Sequence, residues 1–91
     1  MRLDKFLKVS RIIKRRTVAN EACSGGRVSL GGKVAKPGAT VSEGDILEIR
    51  FGNRVGRYKI LTIKETVRKE QAADMYEVLQ EEPETLAERN A

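Results

Sequence analysis

The spacing of apolar residues changes period once along this chain, at Gly25-Gly26, and that change limits the folds open to it. Before the glycines, Leu3, Phe6 and Leu7, then Ile12 and Ile13, recur at helical spacing, with Lys5, Lys8, Arg11 and Lys14 between them. This predicts an amphipathic first helix. Thr17 is a suitable N-cap for a second helix with Val18, Ala19, Ala22 and Cys23 as its apolar face, and the glycine pair stops it. After the glycines the period is two. Val28 and Leu30 alternate with Arg27 and Ser29, and Gly31-Gly32 separates them from Lys33, Val34, Ala35 and Lys36. Both central positions of a two-residue type I′ turn need positive φ, so a glycine pair here predicts a β-hairpin. Pro37-Gly38 and Glu43-Gly44-Asp45 mark further turns, and Ile46–Phe51 reads as a strand. Gly52-Asn53 then turns into another strand over about 58–63; a short helix is expected over 66–73 and a last strand over 75–79. The expected architecture is α+β: a single small domain with an N-terminal helix pair packed on a small, mostly antiparallel sheet.

Charge is distributed as unevenly as the apolar pattern. Residues 1–36 hold ten Lys and Arg against Asp4 and Glu21, whereas residues 37–91 hold eight against eleven acids. A concentrated positive surface on a small domain attracts polyanions and gains affinity by releasing condensed counterions. A nucleic-acid partner follows. Enzymatic chemistry finds little to use here. Histidine is absent, Cys23 is the single cysteine, and neither a phosphate-binding GxxxxGK[ST] loop nor a nucleophile elbow is present. The same inventory predicts no disulfide, no metal and no cofactor, and it suits a reducing, cytoplasmic setting. No apolar run approaches the roughly 20 residues needed to span a bilayer, so no membrane association is expected.

RLDKFL opening two short helices, the basic turn after them, GRVSLGG and the later V-x-x-GD-x-L resemble the S-four RNA-binding domain, over about residues 1–51. That domain also accompanies pseudouridine synthases and tyrosyl-tRNA synthetases, so the resemblance alone implies RNA binding and leaves an accessory role in an RNA-modifying system open. MRLDKFLKVSRIIKRRT, AKPG, LEIRFG and AADMYEVL extend the resemblance, over residues 1–82, to the stand-alone RqcP family of ribosome-associated quality control. A more distant similarity is to the heat-shock rescue protein of about 15 kDa. The RqcP resemblance implies binding to 23S rRNA and peptidyl-tRNA on stalled large (50S) ribosomal subunits, in support of the partner RqcH during alanine tailing. The heat-shock resemblance implies repositioning of peptidyl-tRNA on free large subunits instead. The domain is expected to be a monomer with an S-four-like core over 1–51, a β/α extension over 52–82 and a disordered acidic tail over 83–91. Gly31-Gly32 stands where the family usually has Asn-Gly, which leaves the turn intact.

Arg2, Lys5, Lys8, Arg11, Lys14, Arg15 and Arg16 place seven cations in fifteen positions, the main candidates for RNA contact. A solvated helix face is the ordinary alternative, but acids that would balance it are nearly absent. Arg15, Arg16 and Thr17 sit where free helix N–H groups could add a phosphate site. Asp4 has two readings: a carboxylate that favours the helix dipole and holds Arg2 or another cation, or a group that contacts a base or ribose. Asn20, one turn beyond Thr17, reads equally as an RNA contact or an exposed helix residue. Arg27, Lys33 and Lys36 frame the hairpin, which in the family helps form the RNA surface; Lys at a hairpin edge also guards against strand pairing. Arg50, Arg54, Arg57 and Lys59 divide evenly between a second RNA contact and solubilising charge. Phe6, Phe51, Tyr58 and Tyr76 are too few and too embedded in apolar pattern to stack unpaired bases, so they are assigned to the core and folded RNA is favoured. Cys23 is likewise read as a small core residue.

Overall fold

A computed structural model describes the backbone of residues 1–83 of the 91-residue chain. Two helices, α1 (Leu3–Val9) and α2 (Arg16–Ser24), precede five strands: β1 (Val28–Leu30), β2 (Lys33–Val34), β3 (Ile46–Phe51), β4 (Arg54–Ile60) and β5 (Tyr76–Pro83). The sheet is antiparallel throughout, in the order β2-β1-β3-β4-β5. The expected α+β class is thus observed. The expected tail over 83–91 lies, from residue 84 onward, outside the described residues.

The hairpin forms because Gly31 and Gly32 both take positive φ, 58° and 86°, joining β1 to β2 in the register Leu30↔Lys33. Alternation in β3 and β4 sends Leu47, Ile49, Tyr58 and Ile60 to one face, where they are buried with Leu3, Phe6, Leu7, Ala19, Cys23 and Val28. That shared core fixes the helix pair against the sheet. Tyr58 packs edge-on to Tyr76, ring centroids 5.5 Å apart. Phe6 and Tyr58 are buried, and Phe51 and Tyr76 pack against the same cluster, as the pattern predicted.

Several boundaries differ from expectation. α1 stops at Val9, before Ile12 and Ile13. In a straight helix Ile12 would point roughly opposite Leu3; the break lets Ile12 and Ile13 both pack on the core. Thr17 is not the N-cap of α2: Arg15 is, with extended backbone and no side-chain cap hydrogen bond, and Thr17 lies inside the first turn. Val18 faces outward, 44% exposed, so the buried face of α2 is Ala19, Ala22 and Cys23. Further along, β4 occupies Arg54–Ile60, earlier than the expected 58–63, and the segment expected to be helical over 66–73 is a 3₁₀ helix at Lys69–Met75. Buried Met75 anchors that turn, and its carbonyl accepts from the Leu61 and Thr62 amides at 2.8 and 3.3 Å, which carries the chain from the end of β4 to the start of β5.

Candidate nucleic-acid interface

The N-terminus of α1 is held by the turn at 37–41. Leu3 and Asp4 donate their amides to the carbonyls of Ala39 (2.8 Å) and Pro37 (3.1 Å), and Val41 donates to the carbonyl of Met1. These bonds satisfy amides that a helix start leaves without partners. They also bring Lys36, beside Pro37 in sequence, towards the basic helix.

Asp4 is buried, 2% exposed, and is the centre of a polar cluster joining the two helices. Arg2 donates Nε to Oδ1 (3.2 Å) and Nη2 to Oδ2 (3.3 Å), Arg16 donates Nη2 to Oδ1 (3.4 Å), and Asn20 donates Nδ2 to Oδ2 (3.4 Å). The Lys5 amide adds a bond of 2.8 Å to Oδ1. Burial pushes the Asp4 carboxyl up, but the Asn20 and Arg2 hydrogen bonds and the charges of Arg16 and Arg2 outweigh it and hold the group below its ordinary value. Of the two readings left by the sequence, the observed geometry is the first: Asp4 holds cations in place. Asn20 joins that cluster. Cys23, buried nearby, has its thiol pushed up to about 11 by burial and by the Asp4 charge, which makes it a core residue rather than a nucleophile.

Two grooves flank this cluster. One, of about 520 Å³, is lined by Lys5, Lys8, Arg11, Lys14 and Arg16, with Val9, Glu65, Thr66 and Val67 completing its wall. The other, of about 370 Å³, is lined by Asp4, Arg16, Thr17, Asn20 and Glu21. Arg16 belongs to both. Its guanidinium, tied to Asp4, is therefore aimed along the boundary between the grooves while remaining about half exposed (48%).

The shape of the first groove follows from the end of α1. Ser10 donates its hydroxyl back to the Leu7 carbonyl (3.3 Å), and Arg11 adopts a left-handed conformation, φ 64°, the only non-glycine residue to do so among the described residues. Arg11 and Ile13 then return their amides to the carbonyls of Lys8 and Leu7, both at 3.1 Å. This is a helix C-terminus with arginine where glycine costs least. The turn returns Arg11 and Lys14 to the groove that Lys5 and Lys8 also line.

The other candidates fall elsewhere. Arg15 is exposed at the N-cap of α2, and Arg27, Lys33 and Lys36 are exposed around the hairpin, none of them lining either groove. Arg57 on β4 pairs at 2.9 Å with Glu48, its neighbour on β3, and Lys59 stands opposite Ile46 and Glu77 in the ladder. Arg50, Arg54, Arg57 and Lys59 are thus sheet residues that line neither groove, and acids partner part of the set. Glu65, Thr66 and Val67 are the residues that sequence reasoning missed. Glu65 accepts from the Lys5 amine across 60 positions of sequence, a separation at which no local pattern gives a signal. Among the described residues no group of His, Cys, Asp and Glu could hold a metal ion, and no helix is long and apolar enough to cross a membrane.

The S4 domain family matches residues 1–47, the part of the chain that carries both grooves' cations. A Halalkalibacterium halodurans protein named RQC P-site tRNA stabilizing factor is 58% identical over 88 residues, spanning 97% of this chain and 100% of that protein. The Bacillus subtilis protein of the same name is 51% identical over 82 residues, 90% of this chain and 95% of its own length. Among solved structures, the trimeric heat shock protein 15 of Vibrio cholerae superposes with a TM-score of 0.82 at 33% identity, covering 100% of this chain and 92% of that one.

Proposed function

Because this chain belongs to the S4-domain family, and within it to the RQC P-site tRNA stabilizing factors, we propose that it is a non-catalytic RNA-binding protein of ribosome-associated quality control. In this reading it binds stalled large ribosomal subunits in the cytoplasm, as a monomer, touching 23S rRNA and the peptidyl-tRNA in the P site. There it supports RqcH-dependent alanine tailing. One observation carries the proposal: five cations of the family-matched segment converge on a single groove whose residue at the junction, Arg16, is held in place by a buried carboxylate.

The chemistry is electrostatic positioning. Arginine forks bind phosphate oxygens in pairs, lysines add point charge, and each phosphate contacted releases condensed counterions. Lys5, Lys8, Arg11, Lys14 and Arg16 form the central contact. Arg2, Asp4 and Asn20 orient Arg16, and Arg15, Thr17 and the open first turn of α2 extend the surface. Arg27, Lys33 and Lys36 supply a flank on the hairpin. Tag-based sedimentation through sucrose gradients under stalling conditions tests this: the protein should travel with 50S particles, and recovery only at the top of the gradient would refute it.

The resemblance to heat shock protein 15 supports a second reading, in which the protein repositions peptidyl-tRNA on free large subunits without serving tail synthesis. Deleting the gene and assaying alanine tails on a non-stop reporter separates the two. Lost tails are expected; unchanged tails favour the rescue reading.

A further inference from the structure

One carboxylate enters the groove of cations from a distant part of the chain. Glu65 lies at a bend in the segment between β4 and the 3₁₀ helix, and its Oε2 accepts from the Lys5 Nζ. The Lys5 hydrogen bond and charge hold its carboxyl below the usual range. Neither partner is locked away: the Glu65 side chain is 73% exposed and that of Lys5 36%, so water and a competing anion can reach both. A pair this exposed is weak and opens readily. To an ammonium group, a carboxylate oxygen and a phosphate oxygen are equivalent partners. The groove accordingly contains, at Lys5, an anion of the protein's own, whereas among the described residues the other four cations have none on its lining.

We propose that Glu65 is an intramolecular stand-in for an RNA phosphate, so that binding in this groove is an exchange in which a phosphate displaces Glu65 from Lys5. The inference rests on the groove being the RNA-binding surface. Its consequence is selectivity. The tethered carboxylate is always at hand, so a ligand offering a single phosphate gains little net attraction by replacing it. A structured RNA that simultaneously engages Lys8, Arg11 and Lys14 competes well, because among the described residues no carboxylate has to be displaced from those three. Glu65 thus sets a threshold that favours several phosphates fixed in space over single ones.

The test is equilibrium binding of the full chain to a transcribed tRNA, by fluorescence anisotropy, at several salt concentrations. Glu65→Gln should tighten binding about two- to five-fold, the scale of one exposed ion pair. It should also steepen the salt dependence by up to about one ion, because wild-type Lys5 exchanges one anion for another whereas the freed lysine releases an ion to solution. Glu43→Gln, which changes net charge equally in a turn away from the groove, should give a smaller gain, and once Lys5 is alanine Glu65→Gln should add no more than Glu43→Gln does. A Glu65→Gln effect equal to that of Glu43→Gln, a weakened complex, or an excess over the Glu43→Gln gain that persists without Lys5 would each overturn the proposal. Arg11→Ala separates this from the underlying reading. If Arg11→Ala weakens binding and Glu65→Gln leaves it unchanged, the exchange is wrong and the RNA groove stands; a wild-type chain that does not bind the transcript overturns both.

Discussion

Replacing Asp4 with asparagine should cost about 1–2 kcal/mol of folding stability at neutral pH, a measurable share of the total for a domain of this size. Asparagine fills the same space and keeps one oxygen for the Lys5 amide, so packing and one hydrogen bond survive. What is lost is the charge shared by Arg2, Arg16 and Asn20. Truncating one member of a fully buried ion pair costs about 3–5 kcal/mol because the other charge is stranded. Here the stranded groups are arginines whose side chains are 56% and 48% exposed, so water re-solvates them and the penalty falls to the lower figure. The carboxyl's folded value lies below its ordinary 3.8, so its contribution is fully present above that value and disappears as pH falls through the lower folded one. Urea unfolding followed by far-ultraviolet circular dichroism at pH 7 and at pH 2 reads both effects. The two proteins should differ at pH 7 and converge in acid. Equal stability at pH 7, or a gap of the same size at pH 2, would refute the assignment of Asp4 as an ionised organiser.

Arg11→Gly relieves a left-handed residue at the end of α1 and should stabilise the fold by about 0.5–1 kcal/mol while weakening tRNA binding; a variant that is both more stable and fully active would show that the arginine is not retained for RNA. Arg16→Ala should reduce large-subunit association more than Arg54→Ala, since Arg16 lines both grooves and Arg54 neither; equal losses would place the interface on the wrong face. Gly56→Ala should destabilise by about 1–3 kcal/mol in thermal melts, because its Cβ would lie 2.5 Å from the Tyr58 hydroxyl and 2.9 Å from the ring, and an unchanged melting temperature would contradict the packing. Cys23 should resist iodoacetamide at pH 8 until urea unfolds the chain; rapid labelling of the native protein would contradict its burial and raised thiol value.

The elements legible in the sequence are those whose signals are local. Gly31-Gly32 specified the hairpin because its turn needs two positive φ values, and β3 was readable residue for residue because alternation and flanking turns bound it on both sides. The basic character of the first helix could be read by counting charge. Where α1 ends could not be: Ser10 and Arg11 carry no glycine or proline signal, and the break is driven by Ile12 and Ile13 reaching a core formed with residues far along the chain. Thr17 looked like a cap because its chemistry fits one, yet tertiary packing of Ala19, Ala22 and Cys23 sets the helix start two residues earlier at Arg15. Asp4 was legible as an odd acid among cations, but its choice of Arg16 and Asn20 depends on the angle between two helices. Glu65 was invisible because 60 positions of sequence separate it from Lys5.

On the proposed function, the groove between α1 and the turn after it meets RNA on the large subunit. Determining the structure of this protein bound to a 50S particle carrying P-site peptidyl-tRNA tests it most directly. Phosphates of 23S rRNA or of the tRNA should lie within hydrogen-bond distance of Lys5, Lys8, Arg11, Lys14 and Arg16. A complex in which those side chains face solvent while Arg54 and Lys59 of the sheet meet the RNA would show that the groove is not the RNA-binding surface.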